Sequence, residues 1–205
     1  MGCDMTVAVR PLTTPDVARA CEVIGLAFAD NPSTLANVGG DQPRAERTMQ
    51  RVVRVAKLAR PTSHALVAEL DTTIVGVLNA APWPRCQMTT IERVRMAPAL
   101  LRALGTALPS TAKMMAARAR HDPHHAHWHI GPVAVHPHHQ GHGIGTELLA
   151  AFLAEIGGTE VPAFLETDVD RNVTLYEKLG FQIVSREDII GVDTRFMLRP
   201  PVSQP

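Results

Sequence analysis

The sequence predicts an α/β (α+β) fold with one mixed, mostly antiparallel sheet flanked by helices. Three observations predict it. Seven strand-like runs are interleaved with helix-period stretches along the 205 residues. Hydrophobic residues make up 45% of the chain, enough for a buried core. No internal repeat or long linker divides the sequence, so residues 1–205 read as a single domain, structured over about 6–199 with a frayed tail at 200–205.

The elements follow in order. Thr6 to Leu12 is a β-branched run and reads as a strand. Thr14 as cap and Pro15 at the first helical position start a helix whose apolar residues Val17, Ala20, Cys21, Ile24 and Phe28 share a face; Asn31-Pro32 stops it. A second helix covers about Arg44 to Arg60 and ends at Pro61. His64 to Leu70 and Ile74 to Ala81 read as a strand pair joined by Asp71-Thr72-Thr73. A helical insert of about 85–120 follows, broken near Leu108-Pro109. Trp128 to Val135 is a strand, Gly143 to Ile156 a strongly apolar-faced helix ended by Gly157-Gly158, and Ala163 to Thr167 a strand. A short helix from Asn172 to Leu179 and strands at Phe181 to Arg186 and Thr194 to Leu198 complete the series.

Charge and cysteine usage narrow the function. Twenty basic and twenty acidic residues cancel, which removes the usual electrostatic footprint of a non-specific nucleic-acid binder. Cys3, Cys21 and Cys86 are far apart and odd in number, a pattern of reduced thiols rather than disulfides. The N-terminal MGCDMTVAVRPL lacks a secretory pattern, and Val7 stands where a myristoylation signal wants Ser or Thr. No run approaches the roughly 18 apolar residues of a membrane span. The expectation is a cytoplasmic protein without nucleic-acid or membrane partners, a monomer or homodimer.

Gln140 to Gly145 (QGHGIG) lies between a strand and a helix. Small residues at 141, 143 and 145 let the backbone turn tightly, and the free N–H groups of the helix start suit a phosphate or pyrophosphate. A Walker A loop would need Gly-Lys-Ser/Thr, which is missing here. A dinucleotide loop would read G-x-G-x-x-G directly after its strand. Glu166 does stand where that motif places its ribose-binding acid, but too little chain follows to complete a doubly wound sheet.

VAVHPHHQGHGIGTELL resembles motif A of the GCN5-related N-acetyltransferases (GNAT), with Gln140, Gly143 and Gly145 filling Gln/Arg-x-x-Gly-x-Gly/Ala. FLETDVDRNVTLYEKLGFQIV resembles the same family's following strand-helix-strand. VRPLTTPDVARA and AFADNP look closest to the puromycin N-acetyltransferase-like branch. The resemblance implies a sheet of about 6–7 strands in which the parallel fourth and fifth splay apart. It also implies acetyl-CoA as donor, direct transfer in a ternary complex, and a primary amine of a small molecule as acceptor. Backbone N–H groups of Gly141, His142, Gly143, Ile144, Gly145 and Thr146 would hold the pyrophosphate. Val133, Ala134 and Val135 would pair with the pantetheine arm as an added strand does. Asn172 matches the family's cofactor-contacting Asn, with a helix N-cap as its bland alternative. Tyr176, one helical turn later and the chain's lone Tyr, matches the acid that protonates the leaving thiolate, with core packing on Phe181 as the alternative.

Two residues are candidate bases. Glu166 is a charge inside an apolar strand, and His129 has a suitable intrinsic pKa. Alternation puts His129 on the same side as Val133 and Val135, and Gly131-Pro132 between them suggests a bulge or splay. Glu166 could instead pair with an Arg, and His129 could merely line the sheet. The ten histidines concentrate in HDPHHAHWH and HPHHQGH. With no neighbouring Cys in the sequence, and chemistry that needs no metal, they read as polar loop rather than metal ligands. Arg93, Arg95, Arg102, Lys113, Arg118 and Arg120 give the insert a basic face, read as solvated. Met88, Met96, Met114 and Met115 would line either core or acceptor wall. The alternative to an enzyme is a non-catalytic acyl-CoA-binding sensor of the same fold.

Overall fold

The computed structural model describes residues 7–58, 60, 63–157 and 160–201. Cys3, Thr6, Pro61, Gly158 and the expected tail beyond Pro201 lie outside these. Seven strands form one sheet: β1 (Ala8–Pro11), β2 (His64–Leu70), β3 (Thr73–Pro82), β4 (Trp128–Val135), β5 (Ala163–Thr167), β6 (Gln182–Ile189) and β7 (Val192–Arg199). Their spatial order is β1-β2-β3-β4-β5-β7-β6. Only β4 and β5 run parallel; every other neighbouring pair is antiparallel.

Helices α1 (Val17–Ala27), α2 (Pro32–Val38), α3 (Gln42–Val53), α4 (Thr90–Leu104), α5 (Leu108–His121), α6 (Ile144–Ile156) and α7 (Asp170–Lys178) cover the sheet. On one face, Ile144, Leu148, Leu149, Phe152 and Ile156 of α6 meet Leu66, Leu78, Ile130, Leu165 and Met197. These positions repeat at the 3.6-residue period, so one apolar stripe is removed from water. On the other face, Ala20, Cys21 and Ile24 of α1 meet Val67, Val77 and Ala134. Met114 and Ala117 of α5 pack on Phe164, Ile189 and Phe196 toward the β5–β7–β6 end.

Several local readings shift. The first helix begins with a single turn capped by Thr13 rather than Thr14, because the Asp16 carboxylate accepts from the Thr13 N–H at 2.8 Å. Asn31-Pro32 ends one helix and starts another. The Asn31 side chain accepts from the Thr34 N–H at 3.2 Å and Pro32 takes the first helical position, so α2 forms where only a stop was expected. The β2–β3 turn places Asp71 and Thr72 at φ 48° and 66°, the left-handed geometry that tight hairpins need.

α6 crosses β3 at Gly76. A Cβ there would lie 2.9 Å from Leu148 Cδ1, 3.0 Å from Ile144 Cγ2 and 3.1 Å from Ala68 Cβ. Leu148 and Ala68 are fully buried and have no room to move aside. Gly76→Val should therefore cost about 1–3 kcal/mol of overpacking, read as a lower urea midpoint at unchanged slope.

Candidate active site

β4 and β5 pair at only two positions, Trp128 with Ala163 and His129 with Phe164. Among the described residues, the β5-facing edge of β4 pairs with no strand from Ile130 onward. On its other side β4 slips against β3: Leu78 faces Val133 but Ala80 faces Ile130, so three steps along β4 match two along β3. The extra residue is taken up at Gly131-Pro132, where proline offers no ladder donor. The bulge expected from that dipeptide is present, and it reverses another expectation. Trp128, Ile130, Val133 and Val135 pack on the α6 side, whereas Ala134 packs on the α1 side. His129 thus lies on the face opposite Val133 and Val135, because one inserted residue inverts all later alternation.

Beyond β4, Gln140 ties down the loop. Its Nε2 donates to the Val135 carbonyl at 3.0 Å, and its Oε1 accepts from Arg171 at 3.3 Å. Gly141 and Gly143 have φ of 82° and 84°, and a Cβ at either would meet nothing within 4 Å. The loop backbone is thus open on that side. Gly143 is the N-cap of α6 and supplies no side-chain cap, so the first-turn N–H groups of Ile144, Gly145 and Thr146 have no capping partner. Ile144 contributes only backbone, its side chain being buried in the core. Thr146 and His142 are exposed, the latter with Nδ1 3.3 Å from the His139 carbonyl oxygen. An open backbone cradle, uncapped donors at a helix start and a free strand edge together fit a pyrophosphate joined to a pantetheine arm.

Asn172 is the third residue of α7, not its cap, which is Val169; its amide donates to Thr167 Oγ1 at 3.5 Å. Tyr176 is buried, its ring 5.9 Å from that of Phe181. Burial, and then the charge of Glu166, push the Tyr176 phenol well above its ordinary value. Tyr176 packs with the α6 cluster, whereas Glu166 reaches toward α5 on the opposite face. Where β4 and β5 part, the two faces of the sheet meet.

The two candidate bases touch. His129 Nε2 is 3.0 Å from Glu166 Oε2, and His129 Nδ1 is 2.9 Å from Asp122 Oδ1. Glu166 Oε1 accepts from Arg118 at 3.3 Å, and the same guanidinium reaches Asp168 at 3.2 Å and Ser33 Oγ at 3.3 Å. Asp168 accepts in turn from the Thr194 hydroxyl at 2.7 Å. Burial opposes the charge on Asp122, but hydrogen bonds from His127, His129 and Gln87 outweigh it and hold its carboxyl well below the usual carboxylate range. The Arg partner considered for Glu166 is therefore real. Arg118 is not part of a solvated face but sits in the site at 18% side-chain exposure. Asp168 carried a signal in its spacing, two residues after Glu166 at strand period. Arg118 and Asp122 carried none, because they arrive from a helix about 45 residues away.

The class of protein follows from this frame, a splayed parallel strand pair beside an anion-binding loop, and comparison with known proteins makes it specific. The model of the Acetyltransferase (GNAT) family matches residues 33–181, and the chain belongs to that family. It is therefore an acetyltransferase whose donor is acetyl-CoA. Its fold is shared by the histone acetyltransferase HPA2 and related acetyltransferase of Corynebacterium glutamicum ATCC 13032, at TM-score 0.70, 24% identity and coverage of 98% of this chain and 99% of that one. The Drosophila melanogaster polyamine N-acetyltransferase, which forms N-acetylagmatine, superposes at TM-score 0.62 and 14% identity over 95% of this chain and 100% of that one. The yncA acetyltransferase of Salmonella typhimurium, solved with acetyl-CoA, superposes at TM-score 0.58 and 15% identity over 98% and 96%. Among the described residues, no helix is long and apolar enough to cross a membrane.

Two measurements check this geometry. As the only Tyr, Tyr176 can be followed by tyrosinate absorbance. The unfolded chain releases this proton near 10.0 and the folded chain does not, so the unfolded state binds fewer protons above that pH. Stability should fall as pH rises above 10, by up to about 1.4 kcal/mol per unit, with tyrosinate absorbance rising along with unfolding. Gly143→Val should lower acetyl-CoA affinity at least ~10-fold by calorimetry. The left-handed backbone adds a stability cost of about 1–2 kcal/mol, to be read separately by melting.

Proposed function

We propose that the protein transfers acetyl directly from acetyl-CoA to the primary amine of a small cationic molecule, with both substrates bound at once. The observation that carries this is the charge at the gap: two carboxylates, Glu166 and Asp168, share one guanidinium, Arg118. Two carboxylates on one guanidinium, with the His129 ring against one of them, give an acidic lining that suits an ammonium. Bridges between α2 and α5 roof this side: Ser110 Oγ donates to the Asn37 carbonyl at 3.3 Å, and the Asn37 amide to Met114 Sδ at 3.3 Å.

Bound acetyl-CoA supplies a thioester carbonyl. The N–H groups of Gly141 to Thr146 hold its pyrophosphate, the free edge of Val133 to Val135 aligns the pantetheine arm, and Asn172 steadies it at the head of α7. Glu166 is the base. Both His129 nitrogens already face carboxylates, while a carboxylate oxygen retains a second lone pair after one hydrogen bond. Glu166 accepts the ammonium proton, the freed nitrogen bonds to the carbonyl carbon, the carbon–sulfur bond breaks, and the nitrogen's surplus proton and the one held by Glu166 leave to solvent, which also reprotonates Tyr176. Tyr176 gives its proton to the departing sulfur; an acid held above its ordinary pKa is fully protonated when that is required. His129 is a positioning residue.

A panel of amines with CoA release as readout tests the reading. Cationic diamines and guanidino-amines should turn over. Glu166→Gln should lower kcat by about 10²–10⁴-fold, and Tyr176→Phe should lower kcat with acetyl-CoA affinity retained. Acetyl-CoA binding without CoA release from any amine would overturn the enzyme reading and leave an acyl-CoA-binding sensor. The expected cytoplasmic location and the monomer or homodimer state fit such an enzyme and are checked by fractionation and light scattering.

A further inference from the structure

We propose that Cys86, Asp122, His127 and His129 form a zinc site that clasps the two ends of the α4–α5 helix pair to the head of β4. Cys86 lies in the turns just after β3, where the chain leaves the sheet, and Asp122 is the C-cap of α5, where it begins to return. His127 and His129 flank Trp128 at the start of β4. One ligand atom from each of the four falls within 4.8 Å of all the others. Cys86 Sγ is 3.7 Å from Asp122 Oδ2 and 3.9 Å from His127 Nε2, and His127 Nε2 is 3.1 Å from Asp122 Oδ1. Tetrahedral zinc with nitrogen, oxygen and sulfur ligands sets such separations at about 3.3–3.6 Å, so side-chain adjustments that draw the wider pairs in by up to about 1 Å complete the site.

Proton accounting points to a cation. His127 is fully buried, with Nδ1 2.8 Å from the His125 carbonyl oxygen and Nε2 against Asp122. His129 has Nδ1 against Asp122 and Nε2 against Glu166. Four ring nitrogens thus face oxygen acceptors, and two neutral imidazoles carry two protons between them. Two contacts, both at Asp122, are then left without a proton, and a cation bound by those two nitrogen lone pairs and the carboxylate fills them. With zinc on His127 Nε2, His129 Nδ1, Asp122 Oδ1 and the Cys86 thiolate, whose proton leaves to solvent, the remaining ring protons point to the His125 carbonyl and to Glu166. A small turn of the His129 ring would aim its Nε2 proton at Glu166 Oε2, 3.0 Å away, and both rings would then have the outer hydrogen bond that fixes a metal-bound histidine. Gln87, whose amide donates to Asp122 Oδ2 at 2.6 Å, orients the carboxylate. Thiolate with two imidazoles and one carboxylate favours zinc over calcium or magnesium. The histidine cluster read from the sequence as polar loop therefore divides in two. Cys86 meets its N-terminal half, while His136, His138 and His139 gather separately near the glycine loop.

The test uses the full chain without a purification tag, stripped with chelator and titrated with Co²⁺ as a spectroscopic substitute. The expected result is one equivalent bound with a thiolate-to-cobalt charge-transfer band and tetrahedral d–d bands, both bleached by Zn²⁺. Cys86→Ser should abolish the charge-transfer band, and Cys86→Ser and His127→Gln should each weaken binding by about 100-fold or more. His138→Ala should change neither. Zinc should raise the melting temperature of the wild type and not of Cys86→Ser, which keeps the interior intact if His127→Gln fails to fold. A wild type without the charge-transfer band, or binding that survives Cys86→Ser and is lost in His138→Ala, would overturn the proposal in favour of an adventitious ion only. These readouts do not depend on the amine acceptor, so failure of one proposal leaves the other standing.

Discussion

Parallel strands hold each other through evenly spaced hydrogen bonds, and β4 keeps them with β5 for two residues before giving them up. The release is enforced from the other side, where Gly131-Pro132 inserts a residue against β3 and turns the strand. A continuous sheet would leave its two faces isolated from each other. The opening lets Tyr176, rooted among the α6 contacts, feel the charge of Glu166, which is held from the α5 side. It also leaves a β4 edge free for an extended ligand. The proposed donor binding, leaving-group protonation and proton removal from the acceptor would all use that interruption.

The rest of the fold keeps the opening in register. The α6 stripe packs against β2, β3 and β4 on one face and α1 packs on the other, so β4 is clamped up to the glycine loop. Gly76 lets α6 approach closely, and that approach sets where the uncapped N-terminus of α6 points. The anion cradle is therefore a product of core packing as much as of its own sequence.

The loop and helix proposed to serve the donor were legible in the sequence because they are local. Gln140 to Gly145 needs only a strand, a turn and a helix start, and Asn172 and Tyr176 are one turn apart on one helix. The strands β4 and β5 were read to the residue, since runs of apolar and β-branched residues bounded by turn signals leave little choice. The carboxylate cluster proposed to serve the acceptor was legible only in part. Glu166 stood out as a charge in an apolar strand, but its partners come from α5, and no periodicity links residue 118 to residue 166. The facing of His129 failed for a reason already visible in the sequence: a bulge at Gly131-Pro132 and unbroken alternation across it exclude each other. α2 was missed because Asn31-Pro32 is read equally well as a stop and as a start.

The last turn of α5 carries more of the site than its distance in sequence suggests. Arg118 and Asp122 are four residues apart and face the same way. Arg118 holds one oxygen of Glu166 directly, and Asp122 holds the other through His129. One helical turn thus grips the carboxylate from both sides, and its own position is set by Met114 and Ala117 against Phe164 and Phe196. A rotation of α5 by even a fraction of a turn would release both oxygens together. Substitutions within the α4–α5 pair should therefore act on Glu166, the proposed base, through geometry, even where they touch neither substrate.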